Sequence, residues 1–175
     1  MFYIPKKTPK AAGLISAAAY ALGAALFIAA EFLKPRLGYQ LLALVFAAVG
    51  IFFTSRYILT DYKYVLTDVD RKGAEANFSV IKLSGRRETP VASFDVRDVY
   101  AIEKCSKNSD FEAKHGKVNK IYSYVSNFAS KDVYKVAVEF NGMKVLLSVE
   151  LSEDFAEAIG LLLRVKNDKN GENGL

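Results

Sequence analysis

The chain has 175 residues, half of them apolar, with a formal net charge of +5, one cysteine and one histidine. That usage excludes an intramolecular disulfide and supplies no set of residues with zinc-ligand spacing. The charge is no nucleic-acid footprint either. Up to residue 60 the basic residues Lys6, Lys7, Lys10, Lys34, Arg36 and Arg56 stand against one acid, Glu31, and thereafter bases and acids balance.

No charged residue lies between Lys10 and Glu31, or between Arg36 and Arg56. Each run is about 20 residues long, the length a helix rising ~1.5 Å per residue needs to cross a hydrocarbon core. After a basic N-terminus, residues 1–10, these runs predict a transmembrane hairpin over 11–59, with spans at 11–33 and 37–56. A cleaved signal peptide is the alternative for the first run. Its apolar stretch is usually about 7–15 residues, and this one is longer and followed at once by another.

Between the spans, EFLKPRLGYQ reverses the chain: Pro35 restrains Lys34 away from helical angles and Gly38 tolerates a tight turn. So short a loop makes the hairpin antiparallel, with both ends on one side. Lys6, Lys7, Lys10 and Arg56, with Tyr57, mark that interface, and Lys63, Arg71 and Lys72 follow; the loop offers Lys34 and Arg36. The bias places both termini in the cytoplasm of a multi-pass cell-membrane protein. Tyr3 and Tyr57 suit the inner interface, Phe32 and Tyr39 the outer. Gly13, Ala17, Ala21 and Ala24 form a small-residue stripe on the first helix, with Ala19 and Gly23 beside it, to meet Ala43, Ala47 and Gly50 of the second, the alternative being self-association between chains. Neither span has a charged residue in its middle, which argues against an ion or proton pathway.

At the membrane exit, Tyr57-Ile-Leu-Thr-Asp61 is echoed by Tyr64-Val-Leu-Thr-Asp68. A helix would put both copies on one face. Alternation of Tyr62, Tyr64 and Leu66 against Lys63, Val65 and Thr67 instead predicts that the second copy opens a strand. Further strands follow in NFSVIKL (from Asn77), RRETPVASF, VRDVYAIEKC, KIYSYV, DVYKVAVEF and MKVLLSVEL. Pro90 marks an edge or a bulge, and Asn141-Gly142 is a hairpin turn. A polar loop is expected around Lys107–Lys117. The last element is an amphipathic helix, capped by Ser152 and apolar at Phe155, Ile159, Leu162 and Leu163. The cytoplasmic domain then spans 60–166, and 167–175 is a flexible tail.

The order YILTDYKYVLTD, the FSVIKLSGRR hairpin, FDVRDVYAIEK and the final helix resembles bacterial membrane-flanked pleckstrin-homology-like (PH-like) proteins, here with a single PH-like unit. The resemblance implies an α+β membrane protein: a two-helix transmembrane hairpin followed by a mainly antiparallel PH-like β-barrel capped by a C-terminal helix. It carries no catalytic residue onto this chain.

For chemistry, Cys105 and His115 are the one cysteine–base pair, without an oxyanion or orienting motif; Cys105 reads as a strand end and His115 as a loop residue. Asp68, Asp70 and Glu75 lack the glycine-punctuated spacing of a calcium loop. Lys104, Lys107, Lys114, Lys117 and Lys120 are interleaved with Glu103, Asp110 and Glu112, as in a solvated loop. Arg71, Lys72, Lys82, Arg86 and Arg87 cluster in two hairpin loops and are the candidate contacts to anionic lipid, by position in PH-like folds and by charge. The expected function is a membrane-anchored, non-enzymatic scaffold for a protein partner or for self-assembly, without cofactor, metal or nucleic acid. The alternative is a sensor of anionic lipid headgroups.

Overall fold

The two copies of the repeat, starting at Tyr57 and Tyr64, begin in different elements. Helix α2 (Arg36–Phe53) runs into a wider, π-helical turn, Thr54–Ile58, and β2 begins at Thr60 and runs to Thr67. Along β2, Tyr62, Tyr64 and Leu66 are buried and alternate with less buried neighbours, as the period of two requires. The computed structural model describes residues 1–8, 10–67, 76–105 and 111–172, with side chains as far as Leu163 in the last helix. The chain divides into a helical unit, Lys7–Asp61 with Ser126–Ala129, and a sheet unit that includes Met1–Lys6 and Tyr62–Val125.

In the helical unit, α1 (Lys10–Ala29) packs on α2, and both are long and apolar enough to cross a membrane. The packed stripe on α1 is Ala12, Ser16, Ala19 and Gly23, whereas Ala17, Ala21 and Ala24 of the expected stripe are exposed. The packed residues recur at four- and three-residue steps, the seam along which two helices stay in contact as they coil. A Cβ on Gly23 would lie 3.2 Å from the Ala43 carbonyl oxygen, so the backbones meet there as the small-residue pattern requires. One turn on, the Tyr20 ring occupies the space a Cβ of Gly50 would need. The Ser16 hydroxyl donates to the Gly50 carbonyl at 3.1 Å and lies 2.6 Å from Thr54 Oγ1.

The sheet unit contains, among the described residues, β1 (Phe2–Tyr3), β2, β3 (Asn77–Ser84), β4 (Arg87–Asp95), β5 (Val99–Lys104), β6 (Lys120–Tyr124), β7 (Val133–Phe140) and β8 (Met143–Glu150). They form two four-stranded sheets, β1-β2-β3-β4 and β5-β7-β8-β6, rather than a closed barrel. Strand β6 pairs with β8 in parallel, whereas β1–β2, β3–β4, β5–β7 and β7–β8 are antiparallel. Both readings of Pro90 hold. Strand β4 is an edge strand, and its register slips where Val80 faces Ala92 but Ile81 faces Pro90. At the β7–β8 turn Asn141 and Gly142 both have positive φ, 50° and 74°, the geometry that makes Asn-Gly a hairpin turn.

Strand β1 was too short to leave a pattern. Phe2 pairs with Val65 and Tyr3 with Tyr64. Tyr3, expected at the membrane interface, instead stacks on Tyr64 with ring centres 6.4 Å apart and meets Phe155 at 6.2 Å.

Tyr64, Phe78, Val80, Val136, Val149, Phe155 and Ile159 lie in one core shared by the two sheets and helix α4 (Glu153–Glu172). Ser152 caps α4, its hydroxyl accepting from the Phe155 N–H at 3.3 Å. The helix runs past the expected tail boundary; no proline interrupts its later residues. A second, smaller core of Ala101, Ala137 and Leu146 is covered by Val118 and by Phe111 of α3 (Phe111–His115). Helix α3 stands in the predicted polar loop, where one phenylalanine among charged residues gives little periodic signal.

Candidate functional site

Three of the expected basic residues come together on the β3–β4 hairpin. Its turn is Gly85-Arg86, with Gly85 at φ 60°, as a type II′ turn requires of its first central residue. Ser84 pairs with Arg87 and Lys82 with Thr89. Side chains alternate along β3, so Lys82 continues the face that carries Phe78 and Val80 into the core, beyond its end. Arg87 shares that face from across the ladder, and Arg86 and Arg87 are exposed. On the flank, Lys63 lies 3.5 Å from Glu88. Arg71 and Lys72 lie outside the described residues, as do Asp68, Asp70, Glu75, Lys107 and Asp110.

Of the expected interface residues, Lys7 is structurally engaged. Its ammonium pairs with Asp61 at 2.8 Å and donates to the Ile58 carbonyl at 2.5 Å, tying the approach to α1 to the exit from α2. The Arg56 guanidinium lies 5.3 Å over the Tyr57 ring, while Lys6 and Lys10 are exposed.

Sequence reasoning missed the Ser126–Ala129 loop, which packs within the helical unit. Asn127 Oδ1 accepts from the Thr8 N–H at 2.6 Å and from its hydroxyl at 3.1 Å, just before α1. Phe128 sits edge-on to Phe53 at 5.2 Å and to Tyr57 at 5.4 Å. The signal available was an aromatic residue in the otherwise small and polar SNFAS.

The groove between sheet and helix is filled by the chain's own Phe155 and Ile159. Strand β6 is a sheet edge, with Ile121 and Tyr122 exposed. Behind it the tyrosines form a seam: Tyr122 stacks on Tyr124 at 6.2 Å, Tyr62 meets Tyr124 edge-on at 5.6 Å, and the Tyr124 hydroxyl donates to the Val91 carbonyl at 3.4 Å. Burial raises the Tyr124 phenol above its ordinary range.

The other titratable clusters make structural pairings. His115 Nε2 lies 3.0 Å from Glu103 Oε1, and this hydrogen bond, with Lys114 beside it, holds the Glu103 carboxyl below its ordinary value. Lys104 bridges Glu153 at 3.0 Å and Asp132 at 3.1 Å, which raises its ammonium. The buried Glu150 accepts from Ser130 at 2.7 Å. Cys105 is exposed. Among the described residues no three His, Cys, Asp or Glu side chains are grouped to hold a metal ion.

No curated protein and no solved structure matches the chain. A family model described as a bacterial PH-like domain matches residues 2–166, a stretch that takes in the helical hairpin as well as both sheets. The chain thus belongs to the bacterial PH-like domain family DUF6106.

Proposed function

We propose that this chain is a membrane-anchored, non-enzymatic binding module whose hairpin spans the membrane and whose PH-like domain faces the cytoplasm. The observation that carries the reading is the outer surface of the hairpin. Leu14, Leu22, Phe27, Leu41, Leu44 and Ile51 are exposed along both helices, an apolar surface much larger than a soluble monomer leaves in water. Lipid covers such a surface without loss, and the basic residues at the open end fix its direction. Family membership supports a binding or scaffold role at a coarse level. The open β6 edge, with Ile121 and Tyr122, suits addition of a partner strand from another protein or a second copy.

Cys105, the one cysteine and exposed, provides the test. In intact cells a membrane-impermeant maleimide leaves Cys105 unlabelled, and labels it once the membrane is permeabilised. The protein also stays with the membranes through alkaline carbonate washing. Labelling in intact cells reverses the topology; release by carbonate removes the anchor.

A second reading has its own observation, the shared hairpin face of Lys82 and Arg87 beside Arg86. These residues bind anionic headgroups. Titration of the detergent-solubilised chain with a water-soluble polyphosphate headgroup analogue then gives binding that salt abolishes and that Arg86→Ala with Arg87→Ala weakens. No binding at low salt retires this reading.

A further inference from the structure

We infer that the Ser126–Ala129 loop is a membrane-contact element, seating Phe128 in the headgroup–acyl boundary of the leaflet through which the helices leave. This rests on the reading of α1 and α2 as membrane spans. The observations lie wholly within the helical unit.

Depth comes first. Ser16 of α1 is level with Gly50 and Thr54 of α2, to which it is hydrogen-bonded. Counting outward from there, Phe53 and Tyr57 lie alongside the first turns of α1, so the Phe128 ring between them sits within about one helical turn, ~5 Å, of the level where α1 begins. That is where hydrocarbon gives way to headgroups if the span starts at Lys10.

Chemistry agrees. Phe53, Tyr57 and Phe128 make an aromatic group, the side-chain type concentrated at membrane interfaces. Arg56 stacked on Tyr57, with Lys10 near the same end, adds positive charge suited to anionic lipid.

The loop's own accessibility is the third observation. Ser126 and Asn127 are buried, and Asn127 is hydrogen-bonded to Thr8, yet the adjoining Phe128 is 47% exposed. A phenylalanine held by buried polar neighbours and left half open is poorly placed for water. It is well placed for lipid, because the Phe53 ring it packs on also meets Phe52, at 5.7 Å, and Phe52 is part of the exposed apolar surface of α2.

The chain has no tryptophan, so a single substitution gives an unambiguous fluorescent probe. Phe128→Trp preserves an aromatic ring in the group, and Leu44→Trp, at an exposed position midway along α2, reports on the span itself. Each full-length variant is reconstituted in phosphatidylethanolamine–phosphatidylglycerol vesicles whose acyl chains carry bromine near the headgroup or near the chain end. The expected result is blue-shifted Phe128→Trp emission quenched by shallow bromine, and Leu44→Trp emission quenched by deep bromine. Deep quenching of Leu44→Trp with water-like, unquenched Phe128→Trp overturns this inference and leaves the membrane anchor standing. Loss of quenching at both positions overturns the anchor and the inference with it.

Discussion

The Tyr64 hydroxyl donates to the Tyr124 carbonyl at 2.6 Å, joining a strand of one sheet to the edge strand of the other. The same oxygen accepts from the Glu150 N–H at 3.0 Å, and the residue is 0% exposed. Tyr64→Phe therefore strips a partner from the buried Glu150 N–H and from the part-buried Tyr124 carbonyl, and is expected to cost about 1–3 kcal/mol. Thermal unfolding of the chain in detergent measures this; an unchanged midpoint would show that the two sheets do not depend on the phenol.

Burial raises the Tyr64 phenol far above its ordinary 10.0, and Tyr3 and Tyr124 are raised in the same direction. A raised pKa means that the folded state holds its proton more tightly than the unfolded state. The contribution to stability is full below the unfolded value and is lost as pH rises through the folded one. Stability is expected to fall above the ordinary 10.0, less steeply in Tyr64→Phe than in the parent chain. Alkaline unfolding followed by circular dichroism reads the difference.

What the sequence made legible was whatever repeats over several residues. The uncharged runs, the alternation in β2, the Asn141-Gly142 turn and the Ser152 cap all appear where the pattern put them. Elements supported by one or two residues escaped: β1 rests on Phe2 and Tyr3, and α3 on Phe111. The barrel expectation failed on strand pairing. Nothing in KIYSYV announces that it will lie parallel to β8, since the register depends on the path of the loop before it. The packed stripe on α1 lies one or two positions before the expected one and takes in Ala19 and Gly23, expected beside it, because several alanines compete on α1 and composition alone does not choose among them. Of the candidate lipid site, the hairpin placing Lys82, Arg86 and Arg87 together was legible from its turn glycine. The Phe128 contact depends on a tertiary approach between segments far apart in the chain.

Gly50 and Tyr20 form a second sensitive pair. A Cβ at Gly50 would stand 2.7 Å from Tyr20 Cε1, so Gly50→Ala must displace the ring. The ring is 41% exposed and can swing aside, so the expected cost is about 1 kcal/mol, the low end for overpacked contacts. Tyr20→Ala in the same chain relieves the clash, giving a non-additive double-mutant cycle. Gly13→Ala, whose Cβ meets nothing within 4 Å, is the control and is expected to be neutral or better. Unfolding in detergent or denaturing micelles distinguishes the three.

Helix α3 is held by its phenylalanine more than by its ion pair. Phe111 is almost fully buried, whereas Glu103 and His115 are both partly open to water. Phe111→Ala is expected to cost about 3 kcal/mol. Glu103→Gln is expected to cost about 0.5 kcal/mol or less, because solvent screens the pair. The carboxyl is held below its ordinary 4.5, so its small contribution is present above that value and fades as pH falls through the folded one. Hydrogen exchange at Gly116, whose N–H donates to the Glu112 carbonyl at 2.9 Å, reports local opening of α3 in each variant. Equal acceleration in both would overturn the ranking.

The sheet unit needs the residues that precede the hairpin. Met1 and Leu66 exchange backbone hydrogen bonds at 2.7 and 2.9 Å, and Tyr3 packs against Tyr64 and Phe155. A fragment beginning at residue 61, one residue into β2, therefore loses β1 and bares the β2 edge, with its aromatic face partly uncovered. Exposed, apolar edges of this kind template association between chains. Such a fragment is expected to aggregate, and a synthetic peptide of residues 1–6 added in trans is expected to slow it by restoring the strand. The same peptide carrying Tyr3→Ala keeps the backbone pairing but removes the ring, and is expected to be weaker by about 2 kcal/mol. Light scattering against peptide concentration reads both effects. A fragment that remains monodisperse alone, with Leu66 still protected from hydrogen exchange, would show that β1 is dispensable to the sheet.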